Sequence, residues 1–189
     1  MTATPAAPVL ELRSVSVSFD GFWALNDLNL SLKPGELRAV IGPNGAGKTT
    51  FLDVITGKVR PTKGDVLFRG RSLVGIAEHR IARLGIGRKF QTPRVYQNLT
   101  VRRNLELAIK GNQDPFALLF GRLSGVQRQR VQELLAVVGL EPQAGQLAGS
   151  LSHGQKQWLE IAMLLAQDPE LLLVDEPVAG LSEEETELT

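Results

Sequence analysis

The chain has 189 residues, 43% of them hydrophobic, a formal net charge of +1 and no cysteine. That length favours a single domain with a buried core, and a near-balanced charge gives no reason to expect nucleic acid as a partner. Zero cysteines exclude disulfides and thiolate metal sites and suit a reducing cytoplasm, and no apolar run reaches the roughly 18 residues of a membrane span, so membrane association is expected only through partners.

Residues 1–8 carry neither a basic nor an apolar leader segment and read as a flexible tail, which leaves 9–189 as one folded domain. From 10 to 68 the chain reads mainly as strands. Val15-Ser16-Val17-Ser18 alternates, and Leu28, Leu30 and Leu32 alternate with Asn29 and Ser31 before a turn at Lys33-Pro34-Gly35-Glu36. Residues 37–41 (Leu-Arg-Ala-Val-Ile) are short and largely apolar, the pattern of a strand buried in a parallel sheet. Gly42-Pro43-Asn44-Gly45-Ala46-Gly47-Lys48-Thr49 follows and fits the phosphate-loop pattern G-x-x-x-x-G-K-[ST] at every fixed position. A helix is expected over 49–55, ending before Gly57. In such a strand, loop and helix the glycines turn backbone amides inward, and those amides with the positive end of the helix dipole form a nest for phosphate oxygens. Lys48 then reaches the β- and γ-phosphates, the Thr49 hydroxyl can ligate Mg²⁺, and Thr50 continues the nest.

Further along, residues 86–90 read as a strand, and Gln91 sits between it and the Thr92-Pro93 turn, where it can approach Mg²⁺ or water and swing away. Val101, Leu105, Ala108 and Ile109 mark one amphipathic helix, and Val131, Leu134, Leu135 and Val138 mark another before Gly139. They make the block from about 100 to 150 a helical insertion. Ser152 reads as the N-cap of a helix that buries Trp158, Ile161, Ala162 and Leu165. Residues 171–174 are an apolar strand that ends in Asp175 and Glu176, at the edge where ligands collect in open α/β folds. Asp175 is the candidate for holding Mg²⁺ through its water shell, because a hard cation prefers oxygen and keeps several waters. Glu176 is placed to orient the attacking water or accept its proton.

The loop 42–49, Gln91, the run Leu151-Ser152-His153-Gly154-Gln155 and the strand ending in Asp175-Glu176 occur in the order of the Walker A, Q-loop, signature and Walker B motifs, and together they resemble the ATPases of ABC transporters. The resemblance covers nearly all of the chain from Val9 onward. It implies a P-loop α/β fold with a RecA-like core, an antiparallel β subdomain and a helical subdomain. It implies ATP and Mg²⁺ as cofactors, with catalysis by Glu176, Gln91 and Lys48. Phe19 aligns with the aromatic residue that stacks on adenine in related ATPases, with Phe22 and Trp23 as alternatives. Ser152, Gly154 and Gln155 are expected to face the γ-phosphate of ATP held by a second ATPase subunit packed head to tail, and that subunit is expected to be a nonidentical homologue. His153 stands where the commonest form of the signature has glycine, and Ser182 stands where many members have aspartate in the D-loop.

Segments 65–72, 78–88 and 100–105 look like the ATPases of branched-chain amino acid importers, and within that group 51–58, 88–93 and 152–160 are similar to the urea-importer subunit. The resemblance therefore implies an importer ATPase, for urea first and branched-chain amino acids as the alternative. It would sit on the cytoplasmic face of the inner membrane against transmembrane permease subunits, contacted through 95–107, and act indirectly with an extracytoplasmic solute-binding protein. His79 and His153 both precede Walker B, so no residue fills the position of the family's switch histidine, and the chain is expected to be truncated at its C-terminal end. On that ground a nucleotide-binding module without turnover is a further alternative. A soluble ABC ATPase of repair or translation fits less well, because one cassette is present.

Overall fold

The structure is a computed structural model that describes residues 7–89, 94–109 and 123–175. The chain forms two compact units, one up to Ile86 and the other from Gly87.

The first unit is organised by a hairpin. Strands β1 (Leu10–Phe19) and β2 (Phe22–Leu32) pair antiparallel across the two-residue turn Asp20-Gly21, whose φ values of 48° and 87° are both left-handed. Asp-Gly suits this turn because both positions need positive φ to match the twist of the strands. β3 (Lys63–Phe68) pairs with the other edge of β1, and β4 (Arg71–Ser72) extends the sheet to the order β2-β1-β3-β4. Leu10, Leu12, Val15 and Val17 are buried along β1, while on β2 Leu28 and Leu30 are half-buried and Leu32 is buried between exposed Asn29 and Ser31.

The alternation expected at 15–18 fails at Ser16, which is buried. A bulge centred on Ser14 (φ 48°) shifts the register on both sides of β1. Ser16 then turns inward, and its Oγ accepts a hydrogen bond from the Asp27 amide at 2.9 Å. The Ser14 amide at the bulge is taken up by Asn29 Oδ1 at 2.9 Å. Gly64 makes the bulge possible. It has φ 83°, and a Cβ there would lie 2.3 Å from Ser14 O and 2.4 Å from Arg13 O.

After β2 the chain makes the expected turn, with the Glu36 amide donating to Lys33 O at 3.2 Å and Glu36 Oε2 accepting from the Lys33 amide at 3.0 Å. That backbone donor, helped by the Arg38 guanidinium, holds the Glu36 carboxyl below the usual range. The strand expected at 37–41 does not form. Leu37 and Ile41 are 97% and 93% exposed, and among the described residues nothing pairs with the segment. An apolar run becomes a strand only where neighbouring backbone satisfies its amides and carbonyls. Helix α1 (Lys48–Ile55) forms within a residue of expectation, burying Phe51, Leu52, Val54 and Ile55. Gly57 (φ 76°) ends that segment against Ile81 of α2 (Glu78–Arg83), where a Cβ would meet Ile81 Cδ1 at 2.5 Å.

The second unit takes up the chain within β5 (Ile86–Lys89), which pairs with β6 (Leu171–Val174). Helices α3 (Val101–Ala108), α4 (Gly125–Val137) and α5 (His153–Ala166) enclose a separate core of Val101, Leu105, Val131, Leu134, Leu135, Leu159 and Ala162. α4 starts in a capping box, Ser124 Oγ accepting from the Gln127 amide and Gln127 Oε1 from the Ser124 amide. It stops at Gly139 (φ 66°), as its sequence indicates. The buried stripe of α5 is rotated from the expected one. Leu159, Ala162 and Ala166 are its deepest apolar positions together with polar Gln157 and Glu160, while Trp158, Ile161 and Leu165 are half-buried. Trp158 and Leu165 still pack against the cluster, since large side chains reach it from the flank.

Gly64→Ala should lower stability by about 2 kcal/mol or more, because left-handed strain adds to a backbone clash, whereas Gly70→Ala (φ 75°, open space) should cost only about 1 kcal/mol. Urea unfolding of the two variants beside the wild type measures the difference.

Candidate functional site

The loop 42–47 has no regular structure, is exposed over 42–46, and enters α1 through half-buried Gly47. Gly45 and Gly47 hold φ values of 81° and 87°, a conformation in which successive amides converge on one side of the chain. The Ala46 amide closes a turn onto Pro43 O at 3.2 Å. Gly47 is the N-cap of α1 and supplies no side chain, so no side-chain oxygen covers the first-turn amides. An α-helix start left open in this way is a site for an anion, favoured by both the free donors and the dipole. A Cβ at Gly47 would lie 2.4 Å from Ala24 O and 3.1 Å from Leu25 Cδ2, so the loop is seated directly on β2. Lys48 Nζ donates to Gly42 O at 2.5 Å and Pro43 O at 2.9 Å, which keeps the ammonium at the mouth of the loop. Thr49 is exposed and Thr50 half-buried on the same turn. An exposed cradle that a Cβ would fill, an uncapped helix start and a lysine over both fit a polyphosphate.

Contact with Ala24 also places the hairpin tip beside this loop, since Trp23 is the next residue back along β2. Phe19 lies opposite Phe22 and Ser18 opposite Trp23. The three aromatic side chains are 48%, 68% and 45% exposed, and Lys63 Nζ stands 5.8 Å from the Trp23 ring centre. Exposed aromatics at a tip next to an anion cradle can cover a flat base. The tip leaves Phe19, Phe22 and Trp23 all available for that contact.

In the second unit Asp175 immediately follows β6 and is buried. A protein counter-charge for it is not evident from the sequence. Arg88 Nη2 lies 3.7 Å from Asp175 Oδ2, and both side chains are buried, at 7% and 9% exposure. A buried carboxylate needs such a counter-charge, because desolvation of an unpaired one costs several kcal/mol. Two adjacent cations, Arg88 and Lys89, within a strand that must be buried were the available signal. Gln91 and Glu176 lie outside the described residues, as do Pro177 and the D-loop positions around Ser182.

Ser152 and Gln155 form a reciprocal capping box at the start of α5, Ser152 Oγ accepting from the Gln155 amide at 3.1 Å and Gln155 Oε1 from the Ser152 amide at 3.0 Å. The Ser152 O–H is still able to donate outward, because the cap uses the oxygen as acceptor. Ser152 and His153 are exposed and Gly154 is buried. Gln157 Nε2 stands 3.1 Å from His153 Nε2 one turn on. As an amide donor, Gln157 Nε2 makes that ring nitrogen the acceptor and so tethers the imidazole to α5. Among the described residues no group of three or more His, Cys, Asp or Glu side chains could hold a metal ion unaided, and no helix is long and apolar enough to cross a membrane.

The ABC transporter family profile matches residues 25–179. Over 187 residues the chain is 38% identical to the high-affinity branched-chain amino acid transport ATP-binding protein LivG of Escherichia coli (strain K12), covering 95% of this chain and 73% of that one. Among solved structures it is similar to a nucleotide-free ATP-binding cassette from an ABC transporter, with a TM-score of 0.75 and 28% identity over 95% of this chain and 73% of the other. It is also similar to a dimeric cassette in a post-hydrolysis state bound to ADP and Pi, with a TM-score of 0.73 and 29% identity over 94% and 78%.

Arg88→Met should cost about 3 kcal/mol or more by stranding the buried Asp175 charge, and adding Asp175→Asn should recover most of it. Thermal or urea unfolding of the two single variants and the double variant gives the coupling.

Proposed function

We propose, from the premise that this chain belongs to the ABC transporter family of ATP-binding subunits, that it binds ATP at residues 42–50 and hydrolyses it to drive an importer of the branched-chain amino acid type. The uncapped, left-handed entry of α1 seated on β2 beside an exposed aromatic tip carries the ATP reading. The importer type is supported by similarity to LivG over 95% of this chain. Urea, the cargo suggested by 51–58, 88–93 and 152–160, is the narrower reading and has less support, because the relative described above is named for branched-chain amino acids and no residue of the site touches cargo.

On this reading the amides of Gly42, Asn44, Gly45, Ala46, Gly47 and Thr50 line the phosphates, Pro43, which has no N–H, shapes the loop between them, and Phe19 or a neighbour at the hairpin tip covers adenine. Lys48 leaves the carbonyls of Gly42 and Pro43 for the β- and γ-phosphates, exchanging two neutral acceptors for charged ones. Thr49, Gln91 and Asp175 would each be ligands for Mg²⁺, Asp175 through water. Bound there, Mg²⁺ supplies neutralisation of the charge that develops on the phosphate oxygens. Glu176 orients the water and takes its proton as the water oxygen bonds to the γ-phosphorus and the bond to the β–γ bridging oxygen breaks, giving ADP and phosphate. Ser152, Gly154 and Gln155 face the γ-phosphate held by a second ATPase subunit, a nonidentical homologue. The pair works at the cytoplasmic face of the inner membrane on transmembrane permease subunits, with a solute-binding protein acting from the other side.

Lys48→Ala should weaken ATP binding by about 10- to 100-fold, the worth of a charged hydrogen bond. Glu176→Gln should leave binding intact and slow turnover by about 100-fold or more. Calorimetry and phosphate release measure these, and uptake of labelled leucine against labelled urea by the complex in vesicles decides the cargo. Binding without any turnover in the wild type would favour a nucleotide-binding module instead.

A further inference from the structure

The stretch 94–100 has almost no regular structure, yet its backbone is held at nearly every step. Asn104, fully buried on α3, is the centre of this. Its Oδ1 accepts from the Tyr96 amide at 2.8 Å, and its Nδ2 donates to Tyr96 O at 3.1 Å and Thr100 O at 3.0 Å, with Leu99 O further off at 3.4 Å. The opposite edge is stitched to 146–149, where the Ala148 amide donates to Leu99 O and the Gly149 amide to Gln97 O, both at 2.9 Å. Gly149 allows this close approach, since a Cβ there would lie 3.1 Å from Gln97 O. At the start of the stretch the Arg94 amide donates to Glu160 Oε1 at 3.3 Å. Glu160 is buried on α5, the helix whose first turn carries Ser152, Gly154 and Gln155. Meanwhile Arg94, Tyr96, Gln97 and Asn98 are exposed.

A backbone fixed from beneath with its side chains facing outward can transmit a push, whereas a loop held only by its ends would absorb one. We propose that Asn104 and Glu160 are positioning residues for permease-stimulated turnover. Asn104 holds 96–100 as a stiff edge, and Glu160 ties the start of that edge to α5, so that force on Tyr96 reaches the helix that presents Ser152. Neither residue touches nucleotide. The inference rests on the importer reading, in which 95–107 meets the membrane subunit.

The test uses the ATPase reconstituted in vesicles with the membrane subunits that co-purify with the wild type, and compares the wild type with Asn104→Ala, Glu160→Leu and Glu160→Gln. ATP KM and the unstimulated kcat of the free subunit should stay within about twofold, while the stimulation ratio falls at least about fivefold in Asn104→Ala and Glu160→Leu, the lower end of typical coupling between sites. Glu160→Gln keeps an oxygen for the Arg94 amide and should restore stimulation. Equal stimulation in all variants, or a Glu160→Gln as defective as Glu160→Leu, overturns the proposal. Hydrogen exchange of the free wild-type chain covers the case in which a variant fails to fold: the Arg94 and Tyr96 amides should exchange slowly, and exchange at the rate of an unstructured chain overturns the proposal. Should the wild type itself show no stimulation, the importer reading falls, and the exchange result still decides whether these two side chains hold the segment.

Discussion

The geometry of Gly47 is the constraint from which the first unit's site follows. Its left-handed φ of 87° turns the loop into α1, its lack of a side chain leaves the helix start uncovered, and its missing Cβ lets the loop rest on Ala24 O. Those three consequences come from one residue. The first two make an anion cradle, and the third puts that cradle one residue from the aromatic hairpin tip. On the proposed reading a polyphosphate and a flat base attached to it would therefore be served by neighbouring parts of one sheet and one helix.

In the second unit the ordering principle is buried polarity. Arg88 neutralises Asp175 at the end of β6, Asn104 satisfies the backbone of 96–100, and Glu160 accepts from Arg94. Each group would be expensive alone in an interior, and each is placed where the sequence motifs lead in or out. Paired polar groups specify geometry more sharply than an apolar core of equal volume would, because removing one strands the other. The helical core around Leu105, Leu134 and Leu159 supplies the apolar support on which that polar layer rests.

Local signals are legible wherever local chemistry decides. The pattern of 42–49 with its following helix, the Leu28, Leu30 and Leu32 alternation, the Ser152 cap and the Gly139 stop all rest on backbone preferences and nearest neighbours in sequence. The sequence is silent where a distant segment decides. Residues 37–41 have the composition of a buried strand, but a strand is a relation between two segments and composition cannot supply the second. Ser16 turned inward because of a bulge that Gly64, 48 residues later, accommodates. The stripe of α5 rotated because Gln157 and Glu160 are buried polar residues, which an apolar periodicity ignores. Asn104 and Glu160 are not legible for the same reason, since each looks like a solvent-facing helix position until its backbone partners are known. The Asp20-Gly21 turn was legible in principle, since Asp-Gly between two strand-like runs is a strong hairpin signal.

On the proposed reading the nucleotide lies with its phosphates at 42–50 and its base at the hairpin tip. Photolabelling with 8-azido-ATP, followed by peptide mapping, tests this most directly. Label is expected within residues 19–23, lost when excess ATP is present. Label confined to other parts of the chain, or label indifferent to ATP, would contradict it.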